Sequence, residues 1–247
     1  MKAFIEKLSN DNVTLTCYIH DQSREMPNRD KRCAVLVIPG GGYHMCSDRE
    51  ADPVAMKFLS NGYSAFVLRY SVGRDSPFPK PLDDAREALK MIRERADEWH
   101  IYPDRIAAIG FSAGGHLTAA LSTISDIRPD AQILGYPCIL EKMSDILAAP
   151  IPGVDKYVDG KTPPAFIFHS TEDSVVPIKN SLTYAQKLDE NNIPFEMHLF
   201  AKGYHGFSTS EPEVFTKKED YEYNKDCAQW VPLCITWLNK LFKGDNE

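Results

Sequence analysis

Apolar residues follow two different periods along this chain. Val13, Leu15, Cys17 and Ile19 alternate with more polar neighbours, which predicts a half-buried strand over 13–19, and a shorter strand signal covers 4–8. Residues 33–38 are continuously apolar, as a strand buried on both faces must be. Further strand signals cover 64–70, 105–111, 132–136, 164–169 and 195–200. Between these runs the period becomes helical. Ala51, Val54, Ala55, Phe58 and Leu59 share one helix face, and Ser47 with Glu50 match the S-x-x-E capping box ahead of it. Leu82, Ala85, Leu89, Ile92, Ala96 and Trp99 form the apolar face of a second helix, opened by Pro81. Helical patterns also cover 113–121, 177–188 and 230–242.

Strands alternating with helices predict an α/β fold: a mostly parallel, twisted sheet of about eight strands, helices on both faces, and an antiparallel hairpin at the N-terminus. No repeat, low-complexity segment or linker interrupts the pattern, so 1–247 reads as one domain, with 243–247 as a frayed tail. The connection 137–162 is too short for a large lid. Segment 208–225 is rich in charge and is expected to shape a substrate entrance.

Composition narrows the partners. The chain is 43% hydrophobic, enough for a sizeable core, and its net charge of −7 without a basic run argues against nucleic acid. No apolar stretch is long enough for a membrane span, and no apolar signal-peptide core follows Met1, so a cytoplasmic protein is expected. Cys17, Cys33, Cys46, Cys138, Cys227 and Cys234 form no C-x-x-C pair and read as free thiols of a reducing compartment. No Cys/His cluster has zinc spacing, and no metal is expected.

Chemistry concentrates at predicted strand ends, where ligands bind in open α/β sheets. Pro39-Gly40-Gly41-Gly42-Tyr43-His44 follows the apolar run 33–38. Glycines there let a ligand approach bare N–H groups. A phosphate loop would need a following Lys-Ser or Lys-Thr, and a dinucleotide fingerprint from Gly40 would need glycine where Met45 stands. Gly110-Phe111-Ser112-Ala113-Gly114 matches G-x-S-x-G between a strand and a helix, the setting of a nucleophile elbow. A serine needs a base. His20 and His100 read as surface residues, His198 lies mid-strand, His116 sits inside the elbow helix, and His44 and His169 stand near strand ends. His205, in the glycine-flanked loop after the last strand, has the freedom a base requires. The acid that orients it should follow a strand between serine and histidine, and Asp173 is chosen there over its neighbour Glu172. The glycines then supply an oxyanion hole: Ala113 gives one N–H, and Gly41 and Gly42, with Tyr43 as a further candidate, give the rest.

These residues make the sequence similar to the α/β-hydrolase superfamily, and more narrowly to its acetyl esterase branch, described as acetyl xylan esterase-like or esterase/lipase. The resemblance is carried by PGGGYHMCSDREADPVAMKFLSNGYSAFVLRYSV, PDRIAAIGFSAGGHL, DSVVPIKNSL and GYHGFS. It implies a serine carboxylesterase for short acyl, above all acetyl, esters, with Ser112, Asp173 and His205 as its triad and no cofactor. Pro39 stands where the broader lipase pattern has histidine, which matches the narrower branch but leaves the anchoring of the glycine loop open. Arg49 and Glu50 also match, and the capping box accounts for them without function. The expected partner is a small ester, an acetylated sugar among the candidates, with Tyr43, Tyr136, Tyr204 and Phe207 as stacking platforms. Oligomeric state stays open, a homodimer included. A lipase or peptidase on the same triad, or an inactive hydrolase fold used for binding, are the alternatives.

Overall fold

The computed structural model describes residues 1–243, apart from the side chains of Asn28 and Lys243. Residues 244–247, four of the five assigned to a frayed tail, lie outside the described residues. Strands β1 (Lys2–Lys7) and β2 (Thr14–Ile19) form the antiparallel hairpin expected at the N-terminus. Then come β3 (Arg32–Ile38), α1 (Asp52–Ser60), β4 (Ser64–Arg69), α2 (Lys80–Glu94), β5 (Ile101–Phe111) and α3 (Ser112–Thr123). The chain continues through β6 (Ala131–Gly135), β7 (Ala165–Ser170), α4 (Lys179–Glu190), β8 (Phe195–Phe200), α5 (Lys218–Asn224) and α6 (Trp230–Lys243). The eight strands make one sheet in the order β1-β2-β4-β3-β5-β6-β7-β8, parallel from β4 to β8.

The central strands are buried on both faces. One face packs against α2, α3 and α4 through residues such as Leu89, Leu117 and Tyr184. The other packs against α1 and α6 through Phe58, Trp230 and Leu238. Because β3, β5, β6, β7 and β8 run in one direction, their carboxyl ends share one edge of the sheet, and the loops leaving them meet there.

Three details differ from the sequence pattern. The α2 face was expected to reach Trp99, but the helix ends at Glu94; Ile101 N–H returns to the Ala96 carbonyl and His100 takes φ +54°, a turn that still buries Ala96 and Trp99. Strand β5 consequently starts at Ile101, opposite Arg32. Segment 208–225 contains α5, too short and too charged to announce itself by periodicity. Between β6 and β7 only two short 3-10 turns occur, Glu141–Ile146 and Val154–Tyr157.

Candidate active site

Ser112 stands where β5 turns directly into α3, at φ +51°, a left-handed conformation that costs a non-glycine residue about 1–3 kcal/mol. The turn is possible because its neighbours lack side chains. A Cβ on Gly110 would lie 2.1 Å from the Gly114 carbonyl oxygen, and one on Gly114 would lie 2.2 Å from that of Ile38. The elbow helix thus presses directly onto β3 and β5. Strain is concentrated around this point: among the described residues, five of the seven non-glycine residues at positive φ are Ser112, Tyr43, Tyr136, Ser208 and Ser210.

The loops after β7 and β8 bring Asp173 and His205 to the serine. His205 Nε2 lies 2.9 Å from Ser112 Oγ, and its Nδ1 lies 2.7 Å from Asp173 Oδ2. With Nδ1–H donating to the carboxylate, the neutral ring leaves Nε2 free to accept the serine proton. Asp173 Oδ1 accepts the N–H groups of Val175 and Val176 at 2.9 and 2.8 Å, which fixes the carboxylate plane. Burial by itself would raise the Asp173 carboxyl, but hydrogen bonds from His169, His205 and the Val176 N–H outweigh it and hold it well below the usual carboxylate range. Glu172, the neighbouring candidate, instead accepts a hydrogen bond from the Tyr223 hydroxyl.

His169 does not line the site. It is fully buried behind Asp173, with Nε2 2.9 Å from the Val176 carbonyl and 3.3 Å from Asp173 Oδ2, and Nδ1 2.8 Å from Ser181 Oγ. Two oxygens facing Nε2 place the proton there, so His169 adds a donor to the carboxylate. Its place at the end of β7, four residues before Asp173, was the available signal in the sequence.

The glycine loop is fixed by its carbonyls. Gly40 O accepts from Ser47 N–H, Gly41 O from His44 and Met45 N–H, and Gly42 O from Ala148 N–H. A trans peptide sets each following N–H opposite to its carbonyl, so these bonds orient the N–H groups of Gly41, Gly42 and Tyr43 as well. Gly41 sits at φ +121°, and a Cβ there would lie 2.2 Å from the Met45 carbonyl oxygen. Gly41 and Gly42 line one cleft of about 700 Å³ with Ser112 and His205. Ala113 occupies the first turn of α3, where an N–H has no acceptor within its own helix. The anchoring that Pro39 left open comes from tyrosines. Tyr70 O–H donates to the Pro39 carbonyl at 2.8 Å, and Tyr43 O–H to His116 Nδ1 at 2.7 Å. His116 Nε2–H in turn faces the Pro152 carbonyl at 3.0 Å, and burial lowers its pKa to about 4.

Two sequence expectations need correction. The capping box does not form: Ser47 makes no side-chain cap, and a 3-10 turn, Asp48–Glu50, precedes α1. Glu50 turns inward instead, 3% exposed, and bonds Gly40 N–H and Tyr136 O–H. The stacking platforms also fail. Tyr43, Tyr136 and Phe207 are buried, packed on Tyr70 and His116 or on one another, and present no ring face to a sugar. Tyr204 is exposed but stacks on Tyr223, and lies outside the cleft lining. The cleft is also lined by Ile146, Leu147 and Val175, which no motif announced.

Among the described residues no cluster of His, Cys, Asp or Glu is arranged to hold a metal ion, and no helix is long and apolar enough to cross a membrane. All six cysteines are thiols, five of them buried.

Residues 25–144 match the BD-FAE family, and residues 142–229 match the prolyl oligopeptidase family. The chain is 35% identical over 226 residues to endo-1,4-beta-xylanase B of Butyrivibrio fibrisolvens, covering 79% of this chain and 36% of that protein. It is 29% identical over 229 residues to the acetylxylan esterase of Xylanibacter ruminicola, covering 83% and 46%. The chain therefore spans less than half the length of either curated relative. Two solved structures align along nearly their whole length. MGS-M1, an α/β-hydrolase enzyme from a deep-sea metagenome library of the Medee basin, is 44% identical with a TM-score of 0.91 and 98% of both chains covered. The acetyl ester-xyloside bifunctional hydrolase of Caldicellulosiruptor lactoaceticus is 30% identical with a TM-score of 0.80, covering 97% of this chain and 96% of that one.

Proposed function

The chain belongs to the α/β-hydrolase superfamily, on its acetyl esterase and carboxylesterase side, and is a hydrolase enzyme; from that premise we propose that it is a serine carboxylesterase for short acyl, above all acetyl, esters. The observation that carries this reading is the unbroken hydrogen-bonded line from Ser112 Oγ through His205 to Asp173, opening into a cleft beside Gly41 and Gly42. Ser112 Oγ attacks the ester carbonyl as His205 Nε2 takes its proton. The carbonyl oxygen becomes an oxyanion, met by the N–H groups of Ala113, Gly41 and Gly42. Asp173 holds the imidazolium in place. His205 then gives its proton to the departing alkoxide oxygen, leaving an acyl-serine. Water, deprotonated by His205, attacks that ester and releases the carboxylic acid and Ser112.

For the alcohol we favour a sugar hydroxyl of an acetylated xylo-oligosaccharide. The support comes from two relatives, an acetylxylan esterase and an acetyl ester-xyloside bifunctional hydrolase. A peptidase reading draws on the match of residues 142–229 to the prolyl oligopeptidase family.

The test is hydrolysis of p-nitrophenyl acetate by wild type and by Ser112→Ala, expected to differ in kcat by about 10⁴-fold or more. Equal turnover sinks the triad reading. An acyl series from acetate to decanoate separates an acetyl esterase from a lipase, and turnover of peptide p-nitroanilides in preference to esters would favour the peptidase.

A further inference from the structure

We infer that Glu50 is a positioning residue that couples the oxyanion loop to the histidine loop, an inference that rests on the esterase reading above. The two loops leave different strands and make separate demands. The oxyanion donors must face the carbonyl oxygen, and His205 must face both Ser112 and the leaving group. Their relative placement is set from beneath by one buried carboxylate. Glu50 Oε2 accepts Gly40 N–H at 2.8 Å, immediately before the proposed donors Gly41 and Gly42. Glu50 Oε1 accepts Tyr136 O–H at 2.7 Å. The same Tyr136 oxygen accepts Ser208 N–H at 3.0 Å, three residues beyond His205. Tyr136 also sets its ring edge against the His205 imidazole, centroids 5.0 Å apart. A second bond runs in parallel, from Ser208 Oγ to the carbonyl of Arg49, the residue beside Glu50.

The nucleophile is part of the same arrangement. A Cβ on Gly40 would lie 2.6 Å from Glu50 Oε2 and 3.0 Å from Ser112 Cβ, so the carboxylate sits against the backbone that carries both the glycine loop and the elbow. Burying a carboxylate is a poor way to gain stability, since its desolvation offsets most of what its bonds return. Its use here is geometric: one rigid group with two oxygens, aimed at two loops.

The expected signature is in kcat rather than KM. A misplacement below 1 Å leaves ester binding nearly intact and spoils contacts made only in the transition state, so Glu50→Gln and Tyr136→Phe should each lower kcat on p-nitrophenyl acetate by about ten- to a hundredfold. KM should stay within about twofold of wild type. Inhibition by a trifluoromethyl ketone, which forms a charged tetrahedral adduct with the serine, should weaken by the same factor as kcat. Because both substitutions interrupt one chain of bonds, the double variant should lose much less than the product of the two single losses. Tyr136→Phe removes a single oxygen atom and keeps the measurement available if Glu50→Gln does not fold. An active wild type whose folded variants keep kcat, or lose it without a matching loss of ketone affinity, overturns the inference alone. A wild type without turnover on any ester overturns the esterase reading and this inference with it.

Discussion

The two walls of the cleft are built on opposite principles. On one side, residues 40–43 are held by backbone and buried side-chain bonds to Ser47, Glu50, Gly73, His116 and Ala148. The other adjoins it where Ala148 N–H bonds the Gly42 carbonyl: Ile146 and Val175 are about half exposed, carried by a short 3-10 turn and the loop after Asp173. In the proposed reaction the first wall would meet a developing charge, which requires donors placed before the reaction begins. The second meets whatever the substrate carries beyond the ester, and apolar contact tolerates variation in shape. The proposed reaction thus assigns catalysis and selectivity to surfaces of different stiffness, and substitutions in them should differ in kind.

The largest effect belongs to the hydrogen-bonded line between the two walls. Asp173→Asn should lower kcat by about 10³- to 10⁴-fold, because the amide can no longer hold the Nδ1–H tautomer of His205. A loss below tenfold in steady-state ester hydrolysis would show that the carboxylate is dispensable. Next comes Gly41→Ala. Its methyl group has no room beside the Met45 carbonyl, and displacing one donor should cost about 10²- to 10³-fold in kcat. Unchanged turnover in a folded Gly41→Ala protein would break the contrast between the walls.

The third expectation concerns pH. His116 is neutral in the folded state, with a pKa lowered from 6.5 to about 4, so the unfolded chain takes up the proton first as pH falls. The resulting stability is complete above pH 6.5 and is lost between there and about pH 4, amounting to at most about 3 kcal/mol. Urea midpoints at pH 7.5 and 4.5 should therefore separate more for wild type than for His116→Gln; equal separations would contradict a buried neutral imidazole. The smallest effect is reserved for the open wall. Ile146→Ala and Val175→Ala should change kcat/KM for acetate by less than about threefold while reordering the preference among longer acyl groups or bulkier alcohols. A hundredfold loss on acetate from either would mean that this wall also positions the reacting atoms.

Much of this was legible because it follows from periodicity and strand ends. The period-two run ending at Ile19, the apolar run ending at Ile38 and the 195–200 strand fall where the pattern put them. The meeting of Ser112, Asp173 and His205 follows from three loops leaving the same edge of a parallel sheet. What escaped were contacts whose direction a one-dimensional pattern does not hold. Ser47 and Glu50 have capping-box spacing, but a tertiary partner, Gly40 N–H, competes for the carboxylate and wins. Tyr43, Tyr136 and Phe207 sit in loops that follow strands, as a sugar platform would, yet their rings turn inward because the loops that carry them need a floor. The apolar wall has no spacing rule at all.

The loop that carries His205 is tied down by residues 224–230. Asn224 Oδ1 accepts Tyr204 N–H at 2.7 Å, and the Trp230 indole N–H donates to Ser208 O at 2.8 Å while its ring lies flat on Phe168, 4.4 Å between centroids. These contacts come from residues that follow all eight strands and the elbow in the order of synthesis. For the proposed esterase, a chain cut before Asn224 would keep its elbow but leave the loop around His205 without two of the bonds that place it.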